Sequence, residues 1–505
     1  MKNLRIFGYV DKGYTGSPVL VECSIRNGFP GFDITGLPGN SVKESRERVR
    51  CALRSCGFKF PQSRVLVNLS PASQPKDSPL LDLALACAIL CSRTQYDEKT
   101  VNVMIAGELH LDGSIPSAPQ TGGAVEAARN CGCTVCIVPG RNAIRRAEGT
   151  PMIIGAENLT QAYGRCLEIM EGVLMPPDED NGAESSHKVI FEDIIGLEEE
   201  KETIAMAASG FHSVLIFGPP GVGKTMLSNR IHLLLPELTA IQRREVSRIL
   251  GCANINDRTE RMRILSHDCT QAQFVSGKSP KSPGEGALSH LGTLVLDEIN
   301  KYSPKLLETV KDSYDKGYTQ STRSGEVIAY PSRFLMVGNL NPCPCGGLGD
   351  PQAICTCTAQ KVTNHWNRIG RQLVERFDIR IPVSGSKGML AGISSPNRDD
   401  AFYTDKVRLS TARQNARYRD IEGVDLNGQV HYSTAALLCL RQEIELFNRI
   451  SGGPDQSSRS QIGCITLART IADYDDRPDV TEEDFRKAME LRRYGIGDYY
   501  WRSLR

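Results

Sequence analysis

Aromatic residues are scarce in this 505-residue sequence, at 6%, and only two of them are tryptophan. The chain therefore offers few side chains on which nucleic-acid bases could stack. Charge of one sign is also lacking, since 60 Lys and Arg face 59 Asp and Glu and leave a net charge of +1. Net charge predicts no general affinity for polyanions, so any contact with nucleic acid would need a local patch or pore.

Long hydrophobic runs are missing too. The most apolar stretch, LLDLALACAIL at 80–90, is too short to span a bilayer and contains Asp82. The opening MKNLRIFGYVDKGY has no long apolar core before a small-residue cleavage site, so it does not indicate a signal peptide. We expect a cytoplasmic protein with no membrane partner, in which the 17 cysteines are mainly free thiols.

The chain length predicts about three domains. Residues 1–172 alternate short β-rich runs with helical stretches and predict a mixed α/β domain. An acidic, turn-rich linker is expected at 173–190, followed by a second α/β domain at 191–384 with apolar strands at 213–217 and 292–296. Residues 385–505 are expected to be helical, with a capping box of Thr481 and Asp484 opening a helix through Arg493.

A glycine-rich motif follows the first of these apolar strands. GPPGVGKT has the Walker A pattern in the strand–loop–helix context that such a motif needs. Its backbone N–H groups would surround phosphates, Lys224 would reach the β and γ phosphates of ATP, and Thr225 would ligate Mg²⁺. The alternative is a glycine-rich turn with an incidental lysine. The predicted nucleotide-binding residues are Gly218, Pro219, Pro220, Gly221, Val222, Gly223, Lys224 and Thr225.

A carboxylate pair ends the second apolar strand, LVLDE. Parallel sheets place their ligand crevice at this edge. Asp297 would hold Mg²⁺ through its water shell and Glu298 would orient or deprotonate the attacking water, as in a Walker B motif. Taken alone, such a pair could equally be a solvated strand end.

A third apolar run, FLMVGN, leads to Asn341. A polar residue at this strand tip could contact the γ-phosphate or the lytic water, the role called sensor 1. Asn339 is the competing candidate, and for either residue a turn-capping asparagine is the structural alternative.

Four cysteines follow closely in two CxC pairs, Cys343 with Cys345 and Cys355 with Cys357. Four soft thiolates on two tight turns match a structural tetrahedral zinc site, although reduced thiols in a loop remain the alternative. A zinc ion here could brace the sensor loop against the ATP site.

A polar insertion, FVSGKSPKSPGEG, lies between the two Walker motifs. Lys278 and Lys281 could contact a phosphate backbone in a central pore, or could belong to an ordinary solvated loop.

These residues and the blocks around them resemble the YifB/ComM family of magnesium-chelatase-like AAA+ ATPases. Besides the Walker motifs, the resemblance rests on GFPGFDITGLPGNSVKESRERV, RVLVNLSPASQPKDSPLLDLALA, GELHLDGSIPSA, SPGEGALSHLGTLVLDEIN, NPCPCG, LVERFDI and SSRSQIGCITLARTIAD, which together cover nearly the whole chain. It implies a Lon-protease-like N-terminal domain, a AAA+ core with a parallel sheet and a C-terminal helical lid, assembled as a hexameric ring.

The resemblance also implies roles for two arginines. Arg376 matches an arginine finger that reaches the ATP of a neighbouring subunit, and Arg459 matches the sensor 2 arginine of the lid. A guanidinium suits both roles because it can bridge phosphate oxygens. Without the family match, an ion pair of Arg376 with Asp378 or Glu375 would be favoured.

The Lon-like domain is expected to be proteolytically inert. In the segment that resembles the Lon nucleophile, the matching position is Leu80, and the lysine position falls near Gly122. A hydroxyl nucleophile needs a base within hydrogen-bond reach, and Ser78 lies two positions away from the expected site.

Two functions from different classes remain open. The first is a DNA motor, because ComM-type proteins are ATP-driven branch-migration helicases in recombination during natural transformation; branched or single-stranded DNA would be the partner. The second is a protein-remodelling ATPase like the magnesium-chelatase ATPase subunit.

The family's LDELPEF reads LDEINKY here, its PHH reads Ser266-His267-Asp268 and its SGP reads Gly370-Arg371-Gln372. The nucleotide chemistry of the family can therefore be expected of this chain with better reason than its helicase activity.

Overall fold

A computed structural model describes most of the chain. The described residues are 2–12, 15–92, 97–118, 121–140, 151–173, 189–253, 255, 261–277, 282–323, 326–350, 353–383, 398–451 and 457–495. Most of the predicted linker and the lysines 278 and 281 of the polar insertion lie outside these ranges.

The N-terminal part is built on one mixed sheet. Its strands are β1 (Lys2–Lys12), β2 (Thr15–Arg26), β3 (Gly31–Thr35), β4 (Arg64–Ser70), β5 (Asp97–Ile105), β6 (Val135–Pro139) and β7 (Met152–Ala156). Their order is β3-β4-β2-β1-β5-β6-β7. β2 pairs antiparallel with β1 and β4, and the other neighbours are parallel.

Helices accompany this sheet, namely α1 (Asn40–Ser55), α2 (Asp82–Cys91), α3 (Gly122–Asn130) and α4 (Leu159–Glu171). Every residue of α2 is buried, so the most apolar stretch of the sequence is a core helix. Asp82 is buried with it because Arg48 Nε donates to its carboxylate at 2.7 Å and the Ser45 hydroxyl donates as well.

A second sheet, entirely parallel, forms the centre of the molecule. Its strands are β8 (Val214–Phe217), β9 (Met262–Ile264), β10 (Thr293–Leu296), β13 (Leu335–Leu340) and β14 (Ile379–Pro382), and a separate hairpin consists of β11 (Tyr318–Arg323) and β12 (Glu326–Pro331). The order is β14-β8-β13-β10-β9. β8, β10, β13 and β14 are buried at every position, as expected of parallel strands covered on both faces.

Eight helices of the described chain surround this sheet: α5 (Glu198–Gly210), α6 (Lys224–Ser228), α7 (Ala240–Cys252), α8 (Gln271–Val275), α9 (Glu285–Leu288), α10 (Pro304–Lys316), α11 (Ala359–Asn367) and α12 (Arg371–Val374). The sequence patterns had not indicated β9, the β11–β12 hairpin or α7.

The C-terminal part is helical, as predicted. It contains α13 (Asp400–Arg417), α14 (Thr434–Leu438), α15 (Arg441–Ser451), α16 (Ser458–Tyr474) and α17 (Glu482–Arg492). α16 is buried from Gly463 to Tyr474 and packs against α5, α13 and α17. The predicted capping box is confirmed, because the Asp484 carboxylate accepts from Thr481 N and the Thr481 hydroxyl accepts from Asp484 N. The predicted α/β fold class is confirmed.

Across the ranges that the structure describes, membrane-crossing helices are absent: none is both long enough and apolar enough.

Candidate active site

The glycine-rich loop connects the end of β8 to the start of α6. Gly221 and Gly223 have φ values of +78° and +94°, a backbone conformation that glycine adopts without strain. At Gly218 a Cβ would lie 2.1 Å from the carbonyl oxygen of Val383, so only glycine fits there. The loop thus has the conformation that the Walker A pattern predicts, at the carboxyl end of the central strands.

Lys224 turns back over this loop. Its ammonium donates to the carbonyl oxygens of Gly218 at 2.8 Å and Pro219 at 2.7 Å. Burial lowers the pKa of Lys224, while the negative charges of Asp297 and Glu298 oppose the shift. The same two carboxylates therefore lie close enough to act on the lysine, so the structure brings the two Walker motifs together. Thr225 is exposed at the start of α6.

The two acidic residues after β10 have different surroundings. Asp297 Oδ1 accepts a hydrogen bond from Asn339 Nδ2 at 3.0 Å. Glu298 has a left-handed backbone, with φ of 45°, and its carboxylate forms an ion pair with Lys301. Lys301 is the lysine of the unusual LDEINKY segment, so this departure from the family pattern contacts the predicted catalytic glutamate directly.

The two sensor 1 candidates also differ. Asn339 lies within β13, is 1% exposed, and donates to both Asp297 and Ser228. Asn341 follows the strand tip, and its backbone carbonyl accepts from His365 Nε2 at 2.9 Å. Asn341 lies just past the carboxyl end of β13, whereas the amide of Asn339 is engaged inside the protein. The sensor role of Asn341 remains a prediction.

The two predicted catalytic arginines meet at one carboxylate. Arg376 binds Asp315 through Nε at 3.1 Å and Nη2 at 2.7 Å, and Arg459 Nη1 binds the same carboxylate at 2.9 Å. The suggested partners of Arg376 were wrong, because Asp378 pairs with Arg492 and Glu375 with Arg371. No sequence pattern indicated Asp315, which lies 61 positions before Arg376.

These arginines lie at the amino ends of the parallel strands, whereas the Walker motifs lie at the carboxyl ends. Arg376 precedes the amino end of β14, which runs parallel to β8 with Ile379 opposite Val214 and Pro382 opposite Phe217. At about 3.3 Å per residue, the amino end of these strands is about 10 Å from their carboxyl end. Arg376 and Arg459 therefore lie at the opposite ends of the strands from the Lys224 of their own chain.

The four predicted zinc ligands are brought together. Their sulfur atoms all lie within 4.8 Å of one another, and Cys355 Sγ is 3.7 Å from both Cys343 Sγ and Cys345 Sγ. Zinc–sulfur bonds of about 2.3 Å in a tetrahedron require sulfur separations of about 3.8 Å, so these residues fit a zinc ion. Hydrogen bonding, chiefly from the N–H of Gly347, lowers the pKa of Cys345 to about 6, which favours the thiolate.

This cysteine cluster touches the nucleotide loop. A Cβ on Gly346 would lie 2.9 Å from Pro220 Cδ, so the turn between the cysteine pairs is packed on the Walker A loop. Trp366 Nε1 donates to the carbonyl of Pro342 at 3.0 Å and its ring meets Phe217 edge-on at 5.1 Å. Helix α11 thereby fixes the start of the cysteine loop to the strand that carries the Walker A motif.

The segment that resembles the Lon nucleophile site is buried. Leu80 is 2% exposed, and Ser78 is fully buried and donates to Asp11 Oδ1 at 3.0 Å. A Cβ on Gly123 would lie 2.0 Å from the hydroxyl oxygen of Tyr9, so a tyrosine ring fills the space beside Gly122. Helix α7 of the central domain packs on α3 over this region.

Two family models match the chain. The model described as magnesium chelatase, subunit ChlI, matches residues 190–389, and the model described as subunit ChlI of Mg-chelatase matches residues 21–142. An uncharacterized protein of Mycobacterium tuberculosis (strain H37Rv) is 30% identical over 97% of this chain and 99% of its own length. YifB of Escherichia coli K12 is 29% identical over 95% of both chains, and the competence protein ComM of Haemophilus influenzae is 26% identical over 96% of this chain and 97% of its own.

The chain belongs to the YifB/ComM family. As a magnesium-chelatase-like protein of this family it has the AAA+ P-loop fold, so the expected core is confirmed. Family membership also places the chain among AAA+ ATPases in general.

Sequence reasoning missed three residues that contact predicted or candidate site residues of this YifB/ComM-type protein: Ser228, Lys301 and Asp315. Ser228 follows Lys224 by one helical turn, which is a spacing that could have indicated it. Lys301 was visible as a departure from the family motif, but its contact with Glu298 required the structure. No local pattern marks Asp315.

Proposed function

We propose that this protein is an ATP-hydrolysing AAA+ ring motor that acts on DNA, as a branch-migration helicase in recombination. Lys224 would leave the loop carbonyls for the β and γ phosphates, which compensate its partly desolvated charge better than two carbonyl dipoles do. Thr225 and Asp297 would hold Mg²⁺, which neutralises phosphate charge when bound. Glu298, once released from Lys301, would orient the attacking water and accept its proton.

The position of the two arginines supports the proposed ring. Arg376 and Arg459 lie together on Asp315, at the edge of the sheet opposite the Walker residues of the same chain. A guanidinium in that position can reach a nucleotide only on a neighbouring copy. We therefore propose that both arginines act between subunits, so that the active site is complete only in a homo-oligomer, with a hexameric ring as the expected form.

DNA as the client rests on one observation, the similarity to the competence protein ComM over 96% of this chain and 97% of that protein. The similarity spans the N-terminal domain as well as the ATPase core. We propose that the N-terminal domain is proteolytically inert, since Ser78 is buried and bound to Asp11, and that it serves as a scaffold or partner-binding module.

The test is ATP turnover of purified protein with branched DNA, with single-stranded DNA and without DNA. We expect branched DNA to stimulate turnover most. Glu298→Gln should bind ATP but lose at least about 100-fold in turnover, in the range of general-base catalysis. Glu308→Gln, which changes an exposed glutamate of α10, is the matched control. Equal rates on all three substrates would contradict the DNA proposal.

A second candidate is a protein-remodelling ATPase. Both matching family models carry the description of a magnesium-chelatase subunit, and this observation favours a protein client. Stimulation of turnover by a captured protein, together with equal rates with and without DNA, would support it.

A structural Zn²⁺ is the remaining part of the proposal. Cys343, Cys345, Cys355 and Cys357 would hold it, and it would fix the loop that joins β13 to α11 beside the Walker A motif.

A further inference from the structure

A buried asparagine connects the two halves of the proposed magnesium site. Asn339 lies in β13, between the strand β10, which Asp297 follows, and the helix α6, which begins at Lys224. Its Nδ2 donates to Asp297 Oδ1 at 3.0 Å and to Ser228 Oγ at 3.0 Å. Ser228 Oγ in turn donates to the backbone carbonyl of Thr225 at 3.0 Å.

These contacts define the orientation of the amide. The single hydroxyl proton of Ser228 is used toward the Thr225 carbonyl, so Ser228 Oγ accepts from its other neighbour. A carboxylate also only accepts. Both acceptors therefore face the NH₂ group of Asn339, and its two protons are both used.

We propose that Asn339 is a positioning residue for Mg²⁺: the chain Thr225–Ser228–Asn339–Asp297 fixes the distance and orientation between the two residues that hold the ion. This inference rests on the proposed function, in which Thr225 and Asp297 are the magnesium residues. It assigns to Asn339 a different role from sensor 1, because an amide that is 1% exposed and donates to two protein groups does not reach the γ-phosphate.

The energetics favour this role. The Oδ1 atom of Asn339 is buried and makes no hydrogen bond to the described residues. A buried polar atom without a partner is unfavourable, and an apolar residue at this position would avoid it. The two hydrogen bonds that the amide donates are therefore its only stabilising polar contacts with the described residues. Mg²⁺ demands near-ideal octahedral geometry, so a fixed separation of its protein groups has a direct effect on its affinity.

The primary test measures nucleotide binding rather than turnover. A fluorescent ADP analogue is titrated into the full chain with excess EDTA and with Mg²⁺, and the ratio of the two dissociation constants gives the contribution of Mg²⁺. Asn339→Leu keeps the size of the side chain and removes both donors. Groups that orient metal ligands typically contribute 10–100-fold to metal affinity, so we expect the Mg²⁺-dependent gain in affinity to fall at least about tenfold. Binding in EDTA should stay unchanged.

Ser228→Ala removes the acceptor of the other Asn339 hydrogen bond. It is also expected to reduce the Mg²⁺-dependent gain in nucleotide affinity. Asn367→Leu, at an exposed asparagine of α11, is the matched control and should behave as wild type. Melting temperatures establish which variants fold; if Asn339→Leu does not, Ser228→Ala decides. A folded bridge variant with the wild-type gain from Mg²⁺ would overturn the inference. Wild-type protein that binds no nucleotide at all would instead overturn the proposed function.

Discussion

A half-buried histidine beside the paired arginines gives the protein a predicted sensitivity to acid. Burial and the positive charge of Arg459 lower the pKa of His431 to about 4, and the charges of Asp378 and Asp315 oppose this shift only partly. Its ring stacks on Tyr314 at 5.2 Å, and its Nδ1 contacts the carbonyl of Gly428 at 2.8 Å. The folded state therefore holds this histidine neutral at pH values where the unfolded chain, with a pKa of about 6.5, binds a proton.

The sign of the effect follows from linkage. Stability from a lowered histidine pKa is fully present above about pH 6.5 and is lost as the pH falls toward about 4, because the unfolded state takes up the proton first. Thermal melting between these pH values should show a fall of several degrees. His431→Gln, which does not titrate, should show a shallower fall, whereas His110→Gln at an exposed histidine should match wild type. Identical slopes for wild type and His431→Gln would contradict this assignment.

At the level of single residues, the sequence identified the groups that belong to contiguous motifs. Lys224, Asp297 and Glu298 could be predicted because the strand before each motif fixes where it lies on the sheet. The contacts of Asn339 and Asp315 could not, since their partners are brought near by folding. The bond from Asn339 to Asp297, for example, spans 42 positions.

At the scale of single elements, the loop from β13 to α11 is the one whose structure would depend on the proposed Zn²⁺. Gly346, between the two cysteine pairs, packs against Pro220 of the Walker A loop. Trp366 of α11 donates a hydrogen bond to the start of the cysteine loop. Loss of zinc would remove the metal–sulfur bonds that join the two cysteine pairs, and with them the cross-link that closes the loop.

We therefore predict that chelation lowers both stability and turnover. The melting temperature should fall by about 2–4 °C for each kcal/mol of metal-binding energy lost, and ATP turnover should fall with it. Metal analysis should find one zinc per chain in wild type and less in Cys355→Ser. Cys439→Ser, at an exposed cysteine of the helical lid, is the control. Turnover that stays unchanged after complete zinc removal would disconnect the cluster from the ATP site.

Elements with strong periodicity or caps were predicted well, and elements held by tertiary contacts were not. The strand predicted at 213–217 is observed at Val214–Phe217, and the helix opened by Thr481 is observed at Glu482–Arg492. The three-residue strand β9 has no comparable apolar pattern, and the hairpin joins the polar strand β11 to a strand that contains Val327, Ile328 and Tyr330. β9 pairs with β10, which is distant in the sequence, and a local pattern does not contain that contact.

For the whole molecule, the N-terminal domain and the ATPase core are in contact beside the segment that resembles the Lon nucleophile site, where α3 packs on α7. Tyr9 and Ser78 are fully buried there, and Tyr330 of β12 bonds the thiol of Cys252 at the end of α7. Arg248 of α7 and Asp11 both act electrostatically on these groups. This region is thus an internal contact between the two domains, lined by buried side chains of both.

The arrangement of the arginines leads to a prediction for mixed assemblies. Lys224→Ala should inactivate the site of its own subunit, whereas Arg376→Ala should inactivate the site of a neighbour, so each pure variant should lose turnover. Mixing them places intact Lys224 next to intact Arg376 at some interfaces. With random assembly from equal amounts, about one interface in four has this combination, so about a quarter of wild-type turnover should return.

Measurement of ATP turnover against mixing ratio checks this directly. Arg371→Ala, at an exposed arginine of α12 that pairs with Glu375, is the matched control and should retain turnover by itself. The recovery should appear only after subunits are allowed to exchange, because preformed rings of one variant contain no complete site. If exchanged mixtures stayed as inactive as the pure variants while gel filtration showed mixed oligomers, Arg376 would act within its own chain, and the proposed division of the active site between subunits would be wrong.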